Sequence, residues 1–194
     1  MITTPYRGRA FVYILPLAGP EDLLKVGLTH DPLARWSAFH SRWFEEFDID
    51  RAMLLETESR KDAQALETRL RRELVEFNCP VPLAIRVQAG GQREWHRGAY
   101  ELARRFVFDR ELEGYFVRSS AREFLTESMH EMAGSTNALL HQAVSDFQAG
   151  QLSASQMAAL GNLVDAHRAF GSDAFHEGFD ALQAEWRLRA SGCP

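Results

Sequence analysis

The chain has 194 residues, of which 45% are hydrophobic and 25% charged, and its net charge is −5. This suffices for one large domain or two small ones with buried cores, and it excludes a protein that coats nucleic acid through bulk positive charge. The charge is uneven, +1 over residues 1–105 and −6 over residues 106–194, so phosphate contacts would have to use basic patches in the first half.

The stretch from Phe11 to Leu15 is apolar throughout but far below the ~20 residues that a membrane helix requires. Rich in β-branched and aromatic residues and closed by Pro16, the run reads as a buried strand. Turn chemistry at Ala18, Gly19, Pro20 and Asp22 leads to a return strand over residues 24–29, making a hairpin. Asp31-Pro32 places a capping residue before a proline suited to the first helical position, and that helix is expected to reach Arg42 or Phe44. Residues 51–57 resemble a third strand. Ser59 opens the clearest helix, with Asp62 completing an approximate capping box and Ala63, Leu66, Leu70, Leu74 and Phe77 at helical spacing. Pro80 and Pro82 end it. A short strand over residues 84–87, a tight turn at Gly90-Gly91, an extended piece over residues 94–96 and a helix over residues 98–108 come next.

From about Glu111 onward, helix is expected to follow helix, with breaks at Gly134, Gly150 and Gly171 and caps at Ser120, Ser135, Ser153 or Ser155, and Ser172. The expected fold class is therefore α+β: a small domain over residues 9–106, with a short, mainly antiparallel sheet flanked by helices, then an all-α helical bundle over residues 107–194. The boundary falls near residues 105–115, within a continuous helix. Cys79 and Cys193 cannot make a disulfide framework or a four-ligand zinc site. The first residues carry no apolar export signal. A cytoplasmic setting is the expectation.

Four polar residues occupy positions that ordinary packing does not explain well. Tyr13 lies within an apolar strand, where a phenol needs a hydroxyl partner. Lys25 stands on the neighbouring hairpin strand, close to a glycine that permits close backbone approach. Arg35, in the first turn of its helix, opposes the macrodipole. Glu67 borders the apolar stripe of its helix, a costly place for a carboxylate unless it is paired or metal-bound. Read singly, Tyr13 is a core aromatic with a satisfied hydroxyl, Lys25 a solvated strand residue, Arg35 a surface partner of Asp31, and Glu67 a partner of Arg71.

Taken in order, the residues carry a resemblance. Val12-Tyr13-Ile14, then Lys25-Val26-Gly27-Leu28-Thr29, then Arg35, then the run from Ala63 to Leu70 around Glu67, and finally Arg93-Glu94-Trp95-His96 together resemble the GIY-YIG nuclease superfamily. The match is to its compact phage and bacterial branch, which has a lysine in the second motif, and it covers about residues 9–106. Many members have a tyrosine where Lys25 stands. Some have a histidine at the position of Phe39, where this chain places His40 one step later.

The resemblance implies metal-dependent hydrolysis of DNA phosphodiesters by a catalytic set of Tyr13, Lys25, Arg35 and Glu67. Glu67 would hold Mg²⁺ or Mn²⁺. Arg35 would grip the scissile phosphate, and Tyr13 would position or deprotonate the attacking water. His40, Glu94 and His96 are accessory candidates, and Arg60, Lys61 and Arg71, with Arg69 and Arg72, are candidate DNA contacts. The expected partner is DNA, with no membrane. The helical half is a candidate surface for homodimerisation or a protein partner. The alternatives are a non-catalytic nucleic-acid-binding or regulatory protein on the same fold, and a protein-interaction module.

Overall fold

The computed structural model of the chain describes residues 9–85, 91 and 93–190. It is α+β, a five-stranded antiparallel sheet with flanking helices followed by a helical region. The chain divides into two compact units, Met1–Glu123 and Phe124–Pro194. The sheet of the first unit takes up one more strand after that unit's last long helix.

In the first unit, β1 (Ala10–Pro16) pairs with β2 (Leu23–Thr29) as the expected hairpin, and β3 (Met53–Thr57) pairs with the other side of β1. Gly19, at φ +123°, makes the turn in a region that favours glycine. Two short strands, β4 (Trp95–Arg97) and β5 (Phe116–Arg118), close the flanks, giving the order β4-β2-β1-β3-β5. Directly opposed residues share a face. Val12, Ile14, Leu24, Val26, Met53 and Leu55 therefore form one aliphatic face. It packs on Ala63, Leu66 and Leu70 of α3 (Arg60–Glu73) and on Ala103, Phe106 and Val107 of α4 (Tyr100–Leu112). The opposite face carries Phe11, Tyr13, Leu15 and Lys25, and aromatic rings from residues 36–47 cover it. Each Val, Leu, Ile, Met or Phe side chain so buried contributes ~1.5–3 kcal/mol.

The helix begun at Asp31 stops early. α1 spans Pro32–Ser37, with the Asp31 carboxylate accepting from the Ala34 N–H at 2.9 Å, and α2 (Trp43–Glu46) is a separate turn. The chain breaks between them so that Phe39 can turn inward, fully buried against Tyr13 and Phe47. The His40 imidazole takes up the Arg42 N–H released by the break, at 3.2 Å. The expected Asp31–Arg35 pairing is replaced by this capping role. Ala84 and Ile85 lie in a turn, not a strand, and the remainder of that expected strand, with Gly90, lies outside the described residues.

β5 replaces helix where helix was expected. Gly114, at φ +96°, ends α4 and turns the chain back beside β3. In the second unit, α5 (Arg122–Gln148), which starts at the end of the first, runs straight through Gly134. The expected break and the Ser135 cap are absent because buried Met129 and Thr136 hold the helix on both sides of the glycine, outweighing its ~1 kcal/mol penalty. Gly150 and Gly171 do end helices, with φ of +72° and +83°. α6 (Ala154–Ala169) starts with a full capping box from Ser153 and Gln156, and α7 (His176–Ala190) comes after it. Leu140, Phe147, Leu160, Val164, Phe179 and Leu182 form the core of this unit. Within it, the Thr136 hydroxyl lies 2.8 Å from His167 Nε2, both side chains buried. Among the described residues, no helix is long and apolar enough to cross a membrane.

Candidate functional site

Tyr13 sits in the middle of β1, 1% exposed, its ring 5.9 Å from Trp36 in an edge contact and 6.4 Å from Phe39. Gly27 stands opposite it on β2, and a Cβ there would overlap the Tyr13 hydroxyl. The glycine is there for the ring, since its backbone is otherwise ordinary. Among the described residues the buried hydroxyl makes no well-formed hydrogen bond, and the Arg35 guanidinium is the polar group that approaches it. Burial pushes the Tyr13 pKa up, and the Arg35 guanidinium beside it opposes that rise.

Two positions away on β2, Lys25 is fully buried. Its ammonium lies 5.1 Å from the Phe39 ring and 5.3 Å from the Trp95 ring, and it contacts the Glu94 carboxylate. Burial pulls its pKa down, the Glu94 contact raises it, and Arg35 and Glu67 add smaller opposing effects. The solvated strand lysine that Lys25 suggests when read singly is therefore replaced by an enclosed cation. Arg35 itself is exposed on α1, with its guanidinium 5.0 Å from the Phe39 ring.

Glu67 enters from α3, where the spacing that placed it beside Leu66 and Leu70 leaves it 5% exposed. The Gln64 amide donates to it at 2.8 Å, and Arg71 lies at 3.6 Å. Burial raises its pKa, Arg71 lowers it, and Glu94 raises it further. Arg71 also donates to the Arg93 carbonyl at 3.2 Å, so it braces Glu67 and the β4 approach from one position. His96, fully buried on β4, has its pKa pulled down to about 4 by burial and by Arg71. The Asn78 amide lies 3.5 Å from its Nε2 and donates to the Trp95 carbonyl at 3.1 Å, and the Glu94 backbone opposes the fall in the His96 pKa.

Tyr13, Lys25, Arg35, Glu67 and Glu94 are therefore coupled through one another's charges, and His96 borders them through Lys25 and Arg71. His40 stands apart, engaged with Arg42 and facing Glu45. Arg60, Lys61, Arg69 and Arg72 line a broad depression of about 860 Å³ on the outer face of α3. Sequence reasoning missed Gly27 as the partner of Tyr13, Gln64 as the donor to Glu67, and the rings around Lys25. The spacing of Gln64 three residues before Glu67 was the one available signal. The Nε1 donors of Trp36 and Trp95, which adjoin Tyr13 and Lys25, are also buried without partners among the described residues.

The family model of the T5orf172 domain matches residues 10–109. The chain belongs to the T5orf172 domain family. This corrects the resemblance drawn from short motifs: the family matched is a different one, and no GIY-YIG model matches. The physical reason is that the motif fragments are brief and largely describe a buried hairpin in which an aromatic residue lies over a glycine. Membership in the T5orf172 family is compatible with a nucleic-acid-related function. Comparisons with curated proteins and with solved structures give no match.

Proposed function

We propose that this T5orf172 domain is a divalent-metal-dependent DNA endonuclease that hydrolyses phosphodiester bonds. One observation carries the reading. Charged and hydroxyl groups from five separate segments lie within reach of one another's charges, and among the described residues the buried Tyr13 hydroxyl has only the rim guanidinium of Arg35 beside it and no well-formed hydrogen bond. A buried hydroxyl without a partner costs ~1–3 kcal/mol, a cost that accords with a ligand supplying the missing hydrogen bond.

The donor set fits one kind of metal ion. Among the described residues, no three His, Cys, Asp or Glu side chains gather as a metal cage, which disfavours zinc chemistry. A single buried carboxylate at Glu67 suits Mg²⁺ or Mn²⁺, because ions of that kind keep several waters and need one or two protein carboxylates. When bound, the ion offsets charge on the scissile phosphate and the leaving oxygen. Arg35, exposed at the rim, grips a phosphate through its planar fork. Lys25 adds a fixed positive charge behind it. Burial keeps Tyr13 protonated at neutral pH, so its hydroxyl orients the attacking water or a phosphate oxygen by donating a hydrogen bond.

The test is nicking of supercoiled plasmid with Mg²⁺, Mn²⁺ or EDTA, comparing wild type with Glu67→Gln. Metal-dependent nicking that the variant loses is the expected result, and nicking by the folded variant at the wild-type rate removes the metal site. A second reading, a non-catalytic DNA-binding protein, draws on the Arg71–Glu67 approach at 3.6 Å, which already offsets the carboxylate. EDTA-insensitive DNA binding at low salt without cleavage in either metal selects it.

A further inference from the structure

We propose that Glu94 is a positioning residue that holds the Lys25 ammonium inside the protein and keeps it available as a fixed positive charge at the candidate site. The inference rests on the reading of Lys25 as a site residue. The chain contains two lysines, Lys25 and Lys61, among 22 lysines and arginines. One of the two is the fully buried cation of the sheet. Its walls are the Phe39 and Trp95 rings, and its contact with a carboxylate is Glu94, whose side chain remains 24% exposed.

The backbone around Glu94 holds that carboxylate in place. Lys25 is directly opposite Trp95 in the β2–β4 ladder, and the Val26 N–H donates to the Glu94 carbonyl at 2.8 Å. The Glu94 N–H donates to the Gly91 carbonyl at 3.2 Å, closing a turn. A Cβ at Gly91 would overlap the Glu94 carboxylate, so the side chain lies folded against the backbone of that turn. Glu94 is thus fixed from two sides while it touches the ammonium.

A cation without solvent either keeps a counter-charge or gives up its proton. Glu67 and Glu94 favour the charged form of Lys25, whereas Arg35 and burial oppose it, and His96 lies near enough to feel the same charge. Among these, Glu94 is the group in direct contact. Replacing it with a neutral group converts Lys25 from a fixed charge into a group that releases its proton at lower pH.

Full-length protein labelled with [¹³Cε]lysine reports this directly, since it gives two lysine signals, and Lys61→Arg assigns them. Titration from about pH 6 to about pH 11 spans the ordinary lysine value of ~10.4. In Glu94→Gln the Lys25 midpoint should fall by more than about one unit relative to wild type, with Lys61 unmoved and Glu94→Asp restoring part of the shift. An unchanged Lys25 midpoint in folded Glu94→Gln overturns the proposal. If Glu94→Gln does not fold, the Glu94→Asp midpoint decides: a fall supports the tether and no change overturns it. The alkaline limb of plasmid nicking should move to lower pH in step with the Lys25 midpoint. A wild type that does not nick sinks the nuclease reading, while the titration still decides the role of Glu94.

Discussion

Removing the Tyr13 hydroxyl separates stability from activity in a single substitution. In Tyr13→Phe the ring keeps its contacts with Trp36 and Phe39, and Gly27 still leaves it room. No cavity larger than an oxygen forms, so the usual penalty for truncating a core residue does not arise. What disappears is a buried hydroxyl with no well-formed hydrogen bond among the described residues, and burying such a group unsatisfied costs ~1–3 kcal/mol. The proximity of Arg35 recovers part of that cost in the wild type. The expected net gain is therefore about 1 kcal/mol, or about 3–5 °C in Tm for a unit of this size. Urea unfolding followed by tryptophan fluorescence should show a higher midpoint with an unchanged slope. Nicking should fall by about 10²-fold or more if the hydroxyl orients the nucleophile or a phosphate. A loss of about 1 kcal/mol would show instead that the hydroxyl is satisfied within the fold. Nicking at the wild-type rate would remove Tyr13 from the chemistry.

Gly27→Ala should destabilise the first unit by ~1–3 kcal/mol, the usual range for overpacking, because the buried Tyr13 ring has nowhere to retreat; equal urea midpoints would contradict this. His96 carries a pH signature, since its folded value of about 4 lies below the ordinary 6.5. The unfolded chain therefore takes up a proton below about pH 6.5 that the folded chain refuses, and stability present above that pH is lost as pH falls toward 4. The loss from this residue is on the order of 3 kcal/mol, and His96→Gln should flatten the stability profile across that window when measured by urea unfolding. In the second unit, Thr136→Val leaves His167 Nε2 without its partner when Nδ1 already lacks one among the described residues. Thermal unfolding should register a loss of ~1–3 kcal/mol.

Elements that bury a periodic apolar face were legible in the sequence. The hairpin follows from two β-rich runs around turn residues. α3 follows from Ala63, Leu66 and Leu70 behind the Ser59 cap, and the start of α6 from Ser153. The same periodicity placed Glu67 at the edge of the core. The features that escaped depend on partners distant in the chain. Lys25 reads as solvated until Glu94, 69 residues later, is seen to enclose it. Phe39 ends a helix early because its burial against Tyr13 and Phe47 outweighs another turn. β5 has three residues, too few for an alternation to stand out from the helices around it. Gly134 reads as a break because a glycine's local preference is visible while the packing of Met129 and Thr136 is not. Family membership was the most deceptive level, since short motifs carried less information than the whole domain.

The position of β5 bears on how the domain could be cut from its neighbour. The T5orf172 match ends at residue 109, and every candidate site residue lies before that point, yet the strand that completes the sheet spans Phe116–Arg118. A fragment ending at 109 would strip Leu54, Leu55 and Glu56 of their ladder partners. It would expose a run of free N–H and C=O groups along β3, a template on which a second fragment could add its own strand. Such a piece would carry all of the candidate chemistry and be prone to pair edge to edge with its copies. The smallest fragment able to stay apart in solution extends through Arg118.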